Sequence, residues 1–206
     1  MNHLAHFVLC PDDDEARAGT LIADFSRGAD LGAFSPGIEL GIRLHRRIDA
    51  LVDSSAEVIA LKPLVDAPLR RYAGILFDVF FDYALIRTWQ PASFGPLPQF
   101  TSAIYSSLAR TQALTPEPTR TVAQRMQFYD ALSSCATHAG CARTLSRIDT
   151  RLKRPVDLAA GVHVLRRHED SIVAAFHRLL PALHEEARRF VASSPNGPAR
   201  PTPVAP

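Results

Sequence analysis

The stretch Ile75-Leu76-Phe77-Asp78-Val79-Phe80-Phe81-Asp82-Tyr83 decides how this chain is read. All but two of its side chains call for burial, and it lies in a proline-free segment, 69–89, too long for a strand. The exceptions, Asp78 and Asp82, are four residues apart, which puts both on one face of a helix. The spacing and length predict a helix over 69–89, the most apolar of the chain. Two carboxylates in such a helix are costly unless they are ion-paired or bound to a cation.

The same helical periodicity runs outward in both directions, with no alternating strand and no internal repeat. Residues 2–10 read as a short helix ended by Pro11. Asp12-Asp13-Asp14-Glu15 opens a second helix, acids being favoured at the positive end of its dipole, and this helix is expected to reach about Arg27 and stop at Gly28. Pro36 suits the first turn of a third helix running to about Asp53. A short helix begins at Ser55, before the break at Pro63 and Pro68. Beyond Pro91 to Pro98, two or three further helices are separated by Thr115-Pro116-Glu117-Pro118 and by Arg154-Pro155. The last helical stretch, about 157–192, contains Pro181 and is expected to kink or break there. The sequence therefore predicts an all-α, single-domain helical bundle over 1–192. The proline-rich tail 193–206 cannot bury a core and is expected to be disordered.

A chain of 206 residues with 47% apolar content can bury a core without disulfides or a structural metal. Its three cysteines, Cys10, Cys135 and Cys141, form no Cys-x-x-Cys and follow no signal-like segment. This usage suits a reducing compartment, so the cytoplasm is expected and a thiolate zinc site is not. No apolar run reaches the length of a membrane span. A net charge of +2 is too small to imply a nucleic-acid partner. Charge is unevenly spread, however: residues 1–40 hold seven acids against two bases, and residues 141–190 hold ten bases against six acids. The C-terminal half is the better docking face for an acidic partner.

Asn2 and His6, and His45 and Asp49, repeat the spacing of four seen in Asp78 and Asp82, and Asp24 stands alone in the apolar run Leu21 to Phe25. Together with His6 and His45, the two buried acids make a mixed nitrogen and oxygen ligand set. Such a set suits manganese, magnesium, iron or zinc. Plainer alternatives stand beside this. Asp49 can pair with Arg46 or Arg47 in its own helix, Asp78 and Asp82 with Arg70, Arg71 or Arg87, and Asn2 can cap the first helix.

Four motifs, Met1-Asn2-His3-Leu4-Ala5-His6, Gly19 to Phe25, His45-Arg46-Arg47-Ile48-Asp49 and Phe77 to Asp82, together resemble the acyl-carrier-protein phosphodiesterases. The resemblance runs in order over about residues 1–190. It implies a distorted HD-domain-like fold, on a divergent branch of the helical HD phosphohydrolases. It further implies hydrolysis of holo-acyl carrier protein to the apo-protein and 4′-phosphopantetheine with Mn2+ or Mg2+. Carried over position by position, the metal shell would be His6, Asp24, His45 and Asp78, with Asp49 and Asp82 as further ligands or water-activating carboxylates. Arg46, beside His45, is the candidate for gripping phosphate oxygens bidentately. Tyr83 stands where the family often has a histidine, and Thr20 where it often has an asparagine.

Arg143, Arg147, Arg151 and Arg154 recur at spacings of four, four and three. On a continuous helix they would form one basic stripe, a docking rail for an acidic carrier protein; an ordinary solvated face is the alternative. Two other functions remain open at this point: an HD-type phosphohydrolase acting on a nucleotide or another small phosphoester, and a non-catalytic helical interaction protein.

Overall fold

A computed structural model of the chain describes residues 1–194. Among these residues there are ten α-helices and no strand. In chain order they are α1 (His3–Leu9), α2 (Asp14–Ile22), α3 (Pro36–Ser54), α4 (Ala56–Leu61), α5 (Ala73–Arg87), α6 (Pro91–Phe94), α7 (Leu97–Arg110), α8 (Thr119–Phe128), α9 (His138–Asp149) and α10 (Val162–Ser193), joined by short 3-10 turns.

Local chemistry sets many of the starts. The Asp13 carboxylate accepts the Ala16 N–H at 2.8 Å to cap α2, and the Thr137 hydroxyl accepts the Gly140 N–H at 3.1 Å to cap α9. Pro36 occupies the first turn of α3. Helix α5 is apolar on nearly every side, and Leu76, Phe77, Val79, Phe80, Phe81 and Leu85 are all buried. A helix of that character belongs in the middle of a bundle. It is packed by α1, α9, α10 and the turn Ala131–Ala136, with the Phe81 and Phe176 rings 5.3 Å apart. One hydrophobic core runs from Met1 to Ala187, and a smaller cluster of Ala18, Ile22, Ala23, Ile38 and Ile42 lies between α2 and α3.

Helices α2 and α3 touch at backbone distance. A Cβ on Gly19 would collide with the Ile38 carbonyl, and one on Gly41 with the Ala16 carbonyl. Helix α2 is held to α7 by Asp14, which accepts from Ser107 and from two nitrogens of Arg110 at 2.6 and 2.7 Å. Helix α3 reaches α10 through Arg47 and Glu186 at 2.7 Å.

Several predicted boundaries move. Helix α2 stops at Ile22 rather than Arg27, and the 3-10 turn Ala23–Phe25 follows it. The segment before Ala73 is the 3-10 turn Arg70–Tyr72, so α5 is shorter than 69–89. Helix α9 ends at Asp149, whose carboxylate accepts the N–H groups of Val156 at 2.9 Å and Asp157 at 3.0 Å and folds the chain back. The four arginines therefore do not share one helical stripe: Arg143 and Arg147 lie on α9, Arg151 and Arg154 beyond it. Helix α10 departs from helical geometry at His168 (φ −124°, ψ 25°) and not at the expected Pro181. Pro181 and the residue four before it, His177, are both exposed, so water can satisfy the carbonyl that the proline leaves without a donor. Ser193 closes α10, and the predicted tail from residue 195 onward lies outside the described residues. No helix among the described residues is long and apolar enough to cross a membrane.

Candidate metal centre

Helices α1 and α3 bring two histidines together. His6 and His45 are both buried, and their rings stack nearly parallel with centroids 3.7 Å apart. His45 falls on the buried face of α3 with Leu44 and Ile48, and Asp49 follows one turn later. The Asp49 carboxylate bridges the pair, Oδ1 lying 3.0 Å from His6 Nε2 and Oδ2 lying 3.2 Å from His45 Nε2. Potential ligand atoms of His6, His45 and Asp49 all lie within 4.8 Å of one another.

Asp24 closes the other side from the 3-10 turn after α2. Its Oδ1 is 3.5 Å from His45 Nε2, and its Oδ2 is 3.5 Å from Nδ1 of His3. Asp24 lies in the 3-10 turn Ala23–Phe25, directly after α2. The Met1 ammonium sits between Asp49 and Asp78, at 2.8 and 3.1 Å. Asp78 thus meets the cluster at its edge.

Asp82 is placed differently. Its carboxylate accepts the backbone N–H groups of Leu4 at 3.1 Å and Ala5 at 2.9 Å, and the Asn2 amide at 2.8 Å. It caps α1 from a helix nearly eighty residues away, a job Asn2 does not do with its own side chain. Arg46 donates to the Ser26 carbonyl at 2.8 Å and hydroxyl at 3.1 Å, tying α3 to the turn that carries Asp24. The Tyr83 hydroxyl donates to Glu169 at 2.6 Å, and its ring stacks on His138, at the junction of α5, α9 and α10. Thr20 donates to the Ala16 carbonyl at 2.9 Å.

The plainer alternatives for the acids are not what the geometry provides. Arg46 serves Ser26 and Arg47 serves Glu186, leaving Asp49 to the histidines and the ammonium. Arg70 donates to the Val65 carbonyl, Arg71 lies over Tyr72, and Arg87 pairs with Glu169. Among the described residues none of these three arginines pairs with Asp78 or Asp82.

The electrostatics suit a cation. Burial drives the His6 pKa well down, aided by the charges of His45 and Met1, so the imidazole is neutral and has a lone pair to offer. Burial, opposed by Asp24 and aided by His45 and Arg151, also lowers His3. For Asp49 burial works against the carboxylate, but hydrogen bonds from His45 and His6 and the Met1 ammonium outweigh it and hold the acid below the usual range. Burial opposes the Met1 ammonium too, yet Asp78 and Asp49 raise it to about 11. Asp78 is raised by burial against the pull of that ammonium, and burial pushes Asp82 up to about 6 against its three donors. Nδ1 of His45 is buried with no hydrogen-bond partner among the described residues. A neutral His6 imidazole beside an ionised Asp49, with His45 Nε2 facing the same carboxylate, fits a divalent ion with mixed nitrogen and oxygen preference.

Comparison with known proteins names a family. A family model described as acyl carrier protein phosphodiesterase matches residues 1–183. The chain belongs to the acyl carrier protein phosphodiesterase family. Curated relatives of that name include one from Pectobacterium atrosepticum, 30% identical over 91% of this chain and 98% of the relative. Another, from Serratia proteamaculans, is 29% identical over the same shares. A third, from Escherichia coli, is 30% identical over 92% of this chain and 98% of its own. No solved structure is significantly similar.

Within this phosphodiesterase, sequence reasoning assigned no role to His3 or to the Met1 ammonium. His3 was legible only as one more histidine three residues before His6 on α1; its approach to Asp24 depends on where α2 ends. The capping role of Asp82 has no sequence signal, because the residues it serves are in α1.

Proposed function

We propose that this phosphodiesterase hydrolyses the diester joining 4′-phosphopantetheine to a serine of holo-acyl carrier protein, releasing apo-carrier protein and 4′-phosphopantetheine, with Mn2+ or Mg2+ as cofactor. One observation carries the reading: His6, His45, Asp49 and Asp24, from three separate segments of the chain, converge on one small volume. The two histidines are buried and the two carboxylates are partly open to solvent, an arrangement that suits a ligand set an ion can reach. The names of the relatives supply the substrate class.

In this reading His6, His45, Asp24 and Asp49 hold the metal, and Asp78 contributes from the edge. A bound divalent ion supplies Lewis acidity and a water of lowered pKa. Nε2 of His45 faces the Asp24 and Asp49 carboxylates and Nε2 of His6 faces Asp49, so these nitrogens and oxygens are turned toward one another as ligands of one ion would be. Asp82 and Arg46 are positioning residues: Asp82 anchors the start of the helix carrying His6, and Arg46 anchors the turn carrying Asp24. Helical His and Asp ligands support a place among the HD phosphohydrolases. Arg143, Arg147, Arg151 and Arg154 are all exposed and attract an acidic carrier protein. The free cysteines suit a reducing compartment, and we propose the cytoplasm.

The test is to incubate purified protein and Mn2+ with holo-acyl carrier protein and follow the carrier by mass spectrometry. The expected result is loss of the pantetheine arm, abolished by EDTA. An unchanged carrier alongside turnover of free nucleotides would replace this reading with a nucleotide phosphohydrolase.

A further inference from the structure

Beside the metal centre lies a cleft of about 500 Å3, within the roughly 300–1,000 Å3 of ordinary small-molecule sites. Asn2 and His3 are among its lining residues, so it includes the residue whose Nδ1 lies 3.5 Å from Asp24. Its apolar part is made by Val122 and Met126 of α8 and Ile148 of α9, while Thr144 and Thr150 offer hydroxyls. Arg125, Arg147 and Arg151 stand exposed on its rim, and among the described residues none is paired with a carboxylate. Arg147 lies instead over the Tyr129 ring, 5.4 Å from its centroid. Arg151 and His3 both line the cleft.

We propose that this cleft receives the pantetheine arm of the substrate, with its phosphate end at His3 and its thiol end along Val122, Met126 and Ile148. The inference rests on the carrier-protein reading of the metal centre. Three features favour the arm over the folded face of the carrier. A concave site of this size suits a slender chain, whereas a protein surface meets its partner over a broad, flatter area. The mixture of hydroxyls and apolar side chains matches a chain in which amides alternate with methylenes. Arg151, which lines the cleft together with His3 and is unpaired with a carboxylate among the described residues, complements the anionic phosphate at the arm's head. Arg125, which lies on α8 outside the sequence-derived set, joins Arg147 and Arg151 at this rim, while Arg143 and Arg154 do not line it.

The test fills the cleft. Val122 is half-buried and Thr150 exposed, so of Val122→Trp and Thr150→Trp at least the second is expected to fold, as circular dichroism would verify. Each variant is assayed with Mn2+ on holo-acyl carrier protein and on bis(p-nitrophenyl) phosphate. The fall in kcat/KM on holo-carrier protein is expected to exceed that on the small diester by about tenfold or more, carried mainly by KM. Equal losses on both substrates, or no loss, would overturn the proposal. A second measurement is independent of turnover: free 4′-phosphopantetheine is titrated into methyl-labelled protein and observed by NMR. Shifts at Met126 and Ile148 that vanish in Thr150→Trp support the cleft even if holo-carrier protein is never cleaved, in which case only the proposed reaction fails. No shift at either methyl overturns the cleft, whatever the turnover. Binding is also compared for apo- and holo-carrier protein. If the tryptophan variants weaken both equally, the cleft takes the carrier's surface and the proposal falls.

Discussion

Asp82 is 1% exposed, yet among the described residues it pairs with no histidine and accepts from Asn2, Leu4 and Ala5 instead. Its oxygens complete the N–H groups at the start of α1, which no side chain in α1's own sequence satisfies. Asp82→Ala leaves those buried donors unpaired and is expected to cost about 1–3 kcal/mol, while Asp82→Asn, which keeps an acceptor, costs less. Urea unfolding of the two variants checks this, and an alanine variant as stable as the parent would refute the capping role. His6 and Asp49 act on the ion itself. His6→Ala and Asp49→Asn are each expected to weaken Mn2+ binding by about tenfold or more without unfolding the chain. Isothermal titration with Mn2+ reads this directly, and unaltered affinity in both would remove them from the ligand set.

Among the elements, the α2–α3 contact matters most for the site, since Asp24 follows one helix and His45 lies on the other. Gly41→Ala puts a methyl group against the Ala16 carbonyl and must spread the two helices. Overpacking of this kind costs about 1–3 kcal/mol, which for a chain of this length lowers Tm by about 2–12 °C. The same variant should bind Mn2+ more weakly, because Asp24 moves relative to His45; a melting temperature equal to the parent's would show that the contact yields freely. The other face of α2 rests on Asp14. Hydrogen bonds from Arg110 and then Ser107 hold its pKa down to about 2, below the ordinary carboxylate value of about 3.9. Its folded value lies below its unfolded one, so its contribution is full above about pH 4 and fades as pH falls through about 2. Acid titration of stability should therefore be shallower in Asp14→Asn than in the parent between about pH 4 and 2, and identical acid limbs would contradict it.

At the scale of the whole molecule, an ion that binds only the folded chain stabilises all of it. With Mn2+ at a hundred times its dissociation constant the gain is about 2.7 kcal/mol. For a domain of about 200 residues this raises Tm by about 5–11 °C. Differential scanning fluorimetry with Mn2+ and then EDTA measures it, with His6→Ala as the variant expected to lose the response. A parent whose melting is indifferent to Mn2+, Mg2+ and EDTA would leave the His and Asp cluster without its cation. The uneven charge of the chain works at this scale too, the basic residues of α9 and the segment beyond it lying near the centre through Arg151 and His3.

The class of the fold was legible because burial and helical period act locally: the apolar run around Asp78 and Asp82 had to be an enclosed helix, and α5 is one. His45 and Asp49 share a site because residues four apart on a helix share a face. What each acid does there was not legible. Asp78 and Asp82 have the same spacing and the same apolar neighbours, yet one meets the Met1 ammonium and the other caps α1. That division depends on how α1 lies across α5, a long-range packing choice that leaves no local pattern. The turn after Asp149 is likewise settled by a carboxylate that competes for backbone N–H groups. By itself the sequence determined the helices, their apolar faces and the supply of His and Asp. Only the tertiary structure decided which of them meet, because every contact that builds the centre between α1, α3 and the turn after α2 joins residues far apart in the chain.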